Sequence, residues 1–311
     1  MANPKQIRKR IIFLVGPTAV GKSEAALKLA ARIPAEIISC DSMQIYKGMD
    51  IVSSKPLKTL MRRVKHHLIG ILSPEEEYSV VKYRRQAIDK IKEVIKRGRI
   101  PLFVGGTGFY MSILIDGIFT AKPENKKLRQ FMYKEAELRG SRYLHQKLAK
   151  VDPQAALRIH PNDTRRIVRA LEVFETMGLP ISKLQKQRRG LACEYDIRIF
   201  CLNMPRDKLY KRIDERVDKM FKRGLLKEIS KLLKLKLSRT ACYCLGIREL
   251  KGYFRGLYDL EEAKRLMKRN SRLYAKRQLT WLRKDKRINW IELSGRETPQ
   301  LIANKIWKKL F

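Results

Sequence analysis

Acidic side chains are scarce in this sequence. Its 311 residues hold 31 Asp and Glu against 70 Lys and Arg, a formal net charge of +39. An imbalance of that size speaks to partners rather than to fold. It fits a polyanion, with nucleic acid ahead of an anionic membrane surface. Cysteine is also sparse. Cys40, Cys193, Cys201, Cys242 and Cys244 are odd in number and follow no framework spacing, which excludes a disulfide scaffold. Cys242 and Cys244 are one residue apart with no second pair at zinc-ligand spacing, so reduced thiols in the cytosol are expected. No run of about 18 apolar residues occurs, which excludes a membrane-spanning helix. The basic start leads only into Ile11-Ile12-Phe13-Leu14-Val15, too short for a signal-peptide core. Internal repeats and low-complexity segments are absent as well. What remains is an ordinary apolar fraction of 44%, enough for a sizeable core, in a chain long enough for two domains of about 150 residues each.

The pattern along the chain is α/β. Ile11 to Val15 reads as a buried parallel strand, Glu24 to Ile33 as a helix ended by Pro34, and Ala35 to Ser39 as a second strand. A basic amphipathic helix over 79–97 precedes a third strand from Arg99 to Gly106. Strands alternating with helices imply a parallel sheet flanked by helices. From about 120 the strands stop. Residues 124–150 and 164–177 read as helices, Asp196 to Met204 as a strand again, 206–234 and 261–284 as helices, and Asn289 to Leu293 as a last strand. The reading is a core over 1–119, a helical insertion domain over 120–192, and completion of the core with basic C-terminal helices over 193–311.

Gly16-Pro17-Thr18-Ala19-Val20-Gly21-Lys22-Ser23 matches the phosphate-loop pattern G-x-x-x-x-G-K-[ST]. The glycines let successive backbone amides turn around phosphate oxygens, and the following helix points its positive end at them. Lys22 then reaches the outer phosphate and Ser23 takes a magnesium ion. With a strand before it and a helix after it, this loop predicts a bound diphosphate or triphosphate with Mg2+. The strand ending Val104-Gly105-Gly106-Thr107-Gly108 carries no acid of the kind a nucleotide hydrolase or kinase uses to help hold its metal. The acid at a strand end is Asp41, and carboxyl ends of strands line the ligand crevice of such sheets. Asp41 is a metal-associated acid, a general base or a local cap.

The late helix adds a second signal. Residues 261–290 contain eleven Lys or Arg and three acids. Arg265, Arg269, Arg272, Lys276 and Arg283 recur near one face, with Trp281 interleaved. Such a face suits phosphate contacts that position an RNA without reading it, or it is simply solvated. The adjacent His66 and His67 point opposite ways on a strand, which favours structural roles over a shared metal.

Several blocks go beyond a generic phosphate loop. Asp41-Ser42-Met43-Gln44-Ile45-Tyr46-Lys47-Gly48-Met49-Asp50 is followed in order by His66-His67-Leu68-Ile69, Gly105 to Tyr110, His160-Pro161-Asn162-Asp163, Arg165 to Val173 and Tyr274 to Trp281. Together they resemble the bacterial tRNA dimethylallyltransferase family, the tRNA isopentenyltransferases, over about residues 11–293. The resemblance implies a monomeric cytoplasmic enzyme of P-loop fold, with no membrane partner. It would move a dimethylallyl group from dimethylallyl diphosphate to the exocyclic amine of the adenosine beside the anticodon in tRNA. It implies that Gly16 to Ser23 hold the diphosphate, with magnesium near Ser23, and that Arg216 stabilises its charge. It implies Asp41 as the base on the amine and Thr107 as the hydroxyl between amine and diphosphate. It places Asp41, Ser42, Met43 and Gln44 on the flipped base. Arg129, Arg165, Arg166, Ile167, Val168, Arg169, Gly246, Arg248, Lys276, Arg277, Gln278, Trp281 and Arg283 are placed on tRNA. From the residues alone, Arg216 could instead pair with Glu215 or Asp218, and Thr107 could serve its own loop. The chain departs from the family where Val52-Ser53-Ser54 replaces Gly-Thr-Ala and where Gly246-Ile247 replaces Gly-Tyr. The competing readings are a P-loop small-molecule kinase that binds ATP and a non-catalytic RNA-binding relative.

Overall fold

A computed structural model describes residues 8–119 and 125–311. The chain divides into two compact units, one of residues up to Ile115 together with Glu194–Phe311, the other Asp116–Cys193. The expected insertion boundary at 120 and helix start at 124 lie outside the described residues.

The first unit is built on a six-stranded sheet whose paired strands are all parallel. Its strands are β1 (Arg10–Val15), β2 (Ala35–Ser39), β3 (His66–His67), β4 (Ile100–Val104), β5 (Asp196–Asn203) and β6 (Ile288–Glu292), in the spatial order β3-β2-β4-β1-β5-β6. The centre of the sheet falls to β1 because Ile11, Ile12, Phe13 and Leu14 are all fully buried, so both of its faces must be covered. Ile12 and Leu14 join one apolar cluster with Ala25, Ala26 and Leu29 of the Lys22–Ala30 helix and with Ile302 and Ile306 of the Pro299–Leu310 helix. Phe13 stacks on Phe103 of β4 with ring centroids 4.7 Å apart.

Parallel strands put every carboxyl end on one edge. The segments after β1, β2 and β4 therefore meet there: Gly16 to Ser23, Asp41 to Gln44, and Gly105 to Gly108. The sequence expectation for 206–234 is corrected. Gly224, at φ +92°, separates an Arg206–Lys222 helix from a Leu225–Leu232 helix. The helix expected to run to Ile33 stops at Ala30, since the residue before Pro34 disfavours helical backbone. The apolar segment Gly108–Ile115 forms a helix that periodicity could not reveal, because five of its eight residues are buried and it has no polar face.

The second unit is helical. Gly140 breaks the single helix expected up to 150 into Lys126–Arg139 and Ser141–Val151, and Thr164–Met177 follows. Leu144, Leu148, Ile167, Val168 and Leu171 form its core. Inside it Glu172 is fully buried, and its carboxylate accepts from Asn125 N, Arg129 Nη2 and Arg169 Nη1.

The sheet edge carries a buried charge of its own. Glu36 on β2 is 2% exposed. Its carboxylate accepts Arg97 Nε and Nη2 at 2.9 and 2.8 Å and His67 Nε2 at 2.6 Å. The cluster fastens the short edge strand and the end of the Val80–Lys96 helix to β2. Burial pushes the Glu36 carboxyl up, but the bonds from Arg97 and His67 outweigh it and bring its pKa down to about 2. A lowered carboxylate pKa contributes stability that is complete above the unfolded value and is lost as pH falls toward the folded one. Glu36→Gln should therefore cost about 1–3 kcal/mol at neutral pH. Urea unfolding should show that difference shrinking from about pH 4.5 downward. A constant difference across that range would show that the carboxylate charge is not what holds the edge.

Candidate active site

The phosphate loop is shaped by its first glycine. Gly16 has φ +144°, and a Cβ there would stand 2.6 Å from the carbonyl oxygen of Leu202 on β5. Only glycine lets the chain leave β1 so close to its neighbour. The loop then passes Ala19, also at positive φ, and Gly21, which starts the Lys22–Ala30 helix. Lys22 Nζ turns back to donate to the carbonyls of Gly16 and Pro17 at 2.9 and 2.7 Å.

The loop borders a cavity of about 420 Å³. Thr18, Ala19, Lys22 and Ser23 line it from one side, Asp41 to Gln44 from a second, and Gly105 and Gly106 from the floor. Arg216, Val217 and Met220 of the Arg206–Lys222 helix, and Met267, Tyr274, Arg277 and Gln278 of the Leu260–Leu282 helix, complete the wall.

Each chemical group has a defined support. Asp41 Oδ1 accepts from Met43 N at 2.9 Å, which ties one carboxylate oxygen to the local turn. Thr107 Oγ1 accepts from Ser42 N at 3.2 Å, so the segments after β2 and β4 are tied at the hydroxyl. Ser39 Oγ donates to Gln44 Oε1 at 3.1 Å. Arg216 does not pair with Glu215 or Asp218. Its Nε donates to Ser54 Oγ at 2.9 Å and its Nη1 to Thr18 Oγ1 at 3.0 Å. Asp218 pairs instead with Lys268 at 2.7 Å.

Electrostatics set the character of the cavity. Burial pushes Lys22 down to about 8, assisted by the charge of Arg216 and opposed by that of Asp41. Arg216 is also lowered, first by burial, with Asp41 opposing and Arg223 assisting. Desolvation thus outweighs the one nearby carboxylate for both cations. Two enclosed cations facing one acid make a site that gains from an anion. Ser23 and Asp41 border the same space, and the Ser23 hydroxyl is the group that would hold a divalent metal, which takes few protein groups when phosphate and water fill its shell. Among the described residues no cluster of three or more acids, histidines or cysteines could hold a metal alone.

The residues expected on RNA divide into separate groups. Arg165 and Arg166 are exposed, and Arg166 lies 3.4 Å from Asp163. Ile167 and Val168 are corrected, because both are core residues of the helical unit. Arg129 and Arg169 are occupied by Glu172. Arg248, Lys276, Arg277 and Arg283 are exposed, while Gly246 is buried and caps the Ile247–Phe254 helix. Trp281 is half-buried against Gly108, where a Cβ would stand 2.2 Å from its ring. Arg272 is bound to Asp214 at 2.7 Å rather than free on a basic face. Gln278 is buried, accepting from Thr18 N and donating to Gly106 O, both at 2.9 Å, so its amide belongs to the phosphate loop and not to solvent.

Ser54, Met220, Met267 and Tyr274 join the cavity, although no site role is expected for them from the sequence. Met220 follows Arg216 by one helical turn, and Gln278 follows Tyr274 by one, so the spacing that marks a helix face carried the signal. Ser54 has no such periodicity, since its loop is irregular; its one mark is that it lies in the Val52-Ser53-Ser54 departure from the family pattern.

Known proteins resemble this chain in sequence and fold. The sequence model of the IPP transferase family matches residues 44–285. A tRNA dimethylallyltransferase of Carboxydothermus hydrogenoformans is 46% identical over 300 residues, 96% of this chain and 96% of that one. Its counterpart in Bacillus subtilis is 44% identical over 310 residues, 99% of this chain and 97% of that one. The crystal structure of a tRNA isopentenylpyrophosphate transferase from Bacillus halodurans is 38% identical, covers 97% of each chain and superposes with a TM-score of 0.72. A eukaryotic dimethylallyltransferase acting on tRNA superposes with a TM-score of 0.81 at 29% identity, covering 97% of this chain and 78% of that one. On family match, near full-length identity and common fold, this chain belongs to the IPP transferase family.

Proposed function

We propose that this protein is a tRNA dimethylallyltransferase that moves the allyl group of dimethylallyl diphosphate to the exocyclic amine of an adenosine beside the anticodon. The observation that carries the reading is a cavity bordered by a phosphate loop with two enclosed cations and by the carboxylate-bearing segment Asp41 to Gln44, which the Thr107 hydroxyl holds at Ser42 N. That arrangement suits an allylic diphosphate. Its carbon–oxygen bond breaks as the leaving diphosphate is neutralised, and the carbon accepts the amine's electron pair. Loop amides, Lys22 and Arg216 stand where the negative charge develops, the usual largest catalytic contribution. Magnesium held at Ser23 would add neutralising charge on the same diphosphate.

An adenine amine is a weak nucleophile because its lone pair is shared with the ring. Asp41, with Oδ1 fixed by Met43 N, has Oδ2 to take the amine proton as the new carbon–nitrogen bond forms. Thr107 orients amine and diphosphate together. Val217, Met220 and Met267 offer an apolar wall to the five-carbon chain. The adenosine must leave the base stack to enter, which favours a single-stranded loop as substrate. Arg165, Arg166, Arg248, Lys276, Arg277 and Arg283 supply exposed cations for the phosphates. A kinase reading has less support, because the segment after β4 is Gly105-Gly106 where a metal-binding acid would stand.

Incubation with dimethylallyl diphosphate, magnesium and unmodified tRNA, followed by nucleoside mass spectrometry, should yield a dimethylallyl adenosine. Lys22→Ala should abolish it. Asp41→Asn should slow single-turnover transfer by about 10²–10⁴-fold with tRNA affinity retained. Full activity of Asp41→Asn would remove the carboxylate as base.

The lowered Lys22 pKa predicts a pH dependence with a definite sign. The ammonium is the form that binds the diphosphate, and in the free protein it begins to deprotonate near pH 8. Calorimetric affinity for dimethylallyl diphosphate should fall as pH rises through that value, with proton uptake on binding. A flat affinity from pH 7 to about 9.5 would show that Lys22 keeps its ordinary pKa.

Lys276→Ala combined with Arg277→Ala should weaken tRNA binding and reduce the slope of log affinity against log salt by up to about two. Arg272→Ala should instead lower unfolding stability, through loss of Asp214, and leave the slope unchanged. An unaltered slope in the double variant would place the RNA elsewhere.

A further inference from the structure

The turn before Pro56 is held in an unusual backbone by many bonds. Ser54 has φ +52°, in the left-handed region that residues other than glycine seldom occupy. Its own N–H donates to Ile51 O at 2.9 Å. The Glu228 carboxylate accepts from the backbone N–H groups of Asp50, Ile51 and Val52 at 3.0, 2.8 and 2.8 Å. Lys55 Nζ donates to Tyr46 O and to Asp50 Oδ1, and Ser53 Oγ donates to Met49 O. A strained residue that its surroundings over-determine is a sign of function. What the brace presents to the cavity is the Ser54 hydroxyl, which accepts from Arg216 Nε at 2.9 Å.

Arg216 otherwise has little to orient it. Among the described residues no carboxylate lies within ion-pair distance, and its remaining bond goes to Thr18 Oγ1. A guanidinium is a planar fork, so fixing Nε and one Nη1 hydrogen fixes the direction of all its N–H groups. With those two engaged, the other Nη1 hydrogen and both on Nη2 are left for a ligand beside the phosphate loop.

We propose that Ser54 is a positioning residue whose hydroxyl sets the plane of Arg216 so that its free N–H groups meet the diphosphate. This extends the function proposed above by adding a determinant of diphosphate binding. It rests on that reading only for the identity of the organic group. The strained turn is the device that places the hydroxyl, and Glu228 is the anchor of the turn.

The test is calorimetric titration of the full chain with inorganic pyrophosphate and magnesium. Ser54→Ala and Ser54→Gly both remove the hydroxyl, while glycine also relieves the positive φ, so the pair separates positioning from strain. Both should weaken pyrophosphate about tenfold. In an Arg216→Ala background neither should add more than about a twofold further loss. In transfer assays both should lower kcat while the KM for tRNA stays unchanged. Wild-type pyrophosphate affinity in Ser54→Gly, or losses from Ser54 and Arg216 that multiply, would overturn the assignment. Pyrophosphate binding is read without tRNA, so failure of Ser54 and failure of the transfer reaction give different results.

Discussion

Gln278 is the interaction on which the site depends. The phosphate loop, the Gly105–Gly106 turn and the Leu260–Leu282 helix come from distant parts of the chain, and one side-chain amide joins them. Its oxygen takes the N–H of Thr18 and its nitrogen gives to the carbonyl of Gly106. Those backbone groups have left the sheet ladder and need partners, since an unmet buried polar group costs about 1–3 kcal/mol. An amide answers a donor and an acceptor at once, which a carboxylate or an ammonium cannot do. The cost falls on the neighbour. A Cβ at position 106 would stand 2.0 Å from Gln278 Nε2, so any larger residue there would push the amide out of its bridge. Gly105 is constrained likewise, by the carbonyl of Cys40. The run of glycines after β4 is thus a record of how closely three segments approach one another.

That tight floor allows cations to be enclosed above it. Lys22 and Arg216 are both lowered by burial, and Asp41 does not compensate them fully. An enclosed cation without full compensation weighs against the unliganded state and is relieved when an anion arrives. The site therefore discriminates by charge before it discriminates by shape. The same logic explains why Arg216 rests on two hydroxyls. A carboxylate partner would neutralise it, whereas Ser54 and Thr18 orient it and leave its charge available.

Much of this was legible in the sequence. The buried strands show as short apolar runs, and the nearness of the phosphate loop and Asp41 follows because parallel strands end on one edge, whereas Thr107 comes only from the family resemblance. Other features were hidden for physical reasons. The Gly108–Ile115 helix has no polar face, so no periodicity marks it. Gly140 and Gly224 break helices whose side-chain pattern continues across them. Ile167 and Val168 sit in an arginine-rich block, yet the helical repeat turns them inward while Arg165 and Arg166 face out. Gln278 is placed on RNA by the family resemblance. Ser271, Ala275, Gln278 and Leu282, at steps of four, three and four, trace the buried stripe on which it lies. Ser54 depends on a contact across 162 positions, which no local pattern encodes.

The excess of charge divides in the same way. Some cations are structural: Arg97 on Glu36, Arg129 and Arg169 on Glu172, Arg272 on Asp214, Lys268 on Asp218. Yet 31 acids cannot neutralise 70 cations however they are paired, and a net +39 must face outward or into the cavity. Exposed cations such as Lys276, Arg277 and Arg283 attract phosphates without regard to sequence. In the proposed reaction they bring tRNA to the protein and fix its register, but they cannot choose the base. That choice falls to groups at the cavity, where Asp41 is held by Met43 N and Gln44 by Ser39, so that a purine edge meets a carboxylate and an amide of set orientation. On that reading the exposed cations would supply affinity and register, and the groups at the cavity the choice of base.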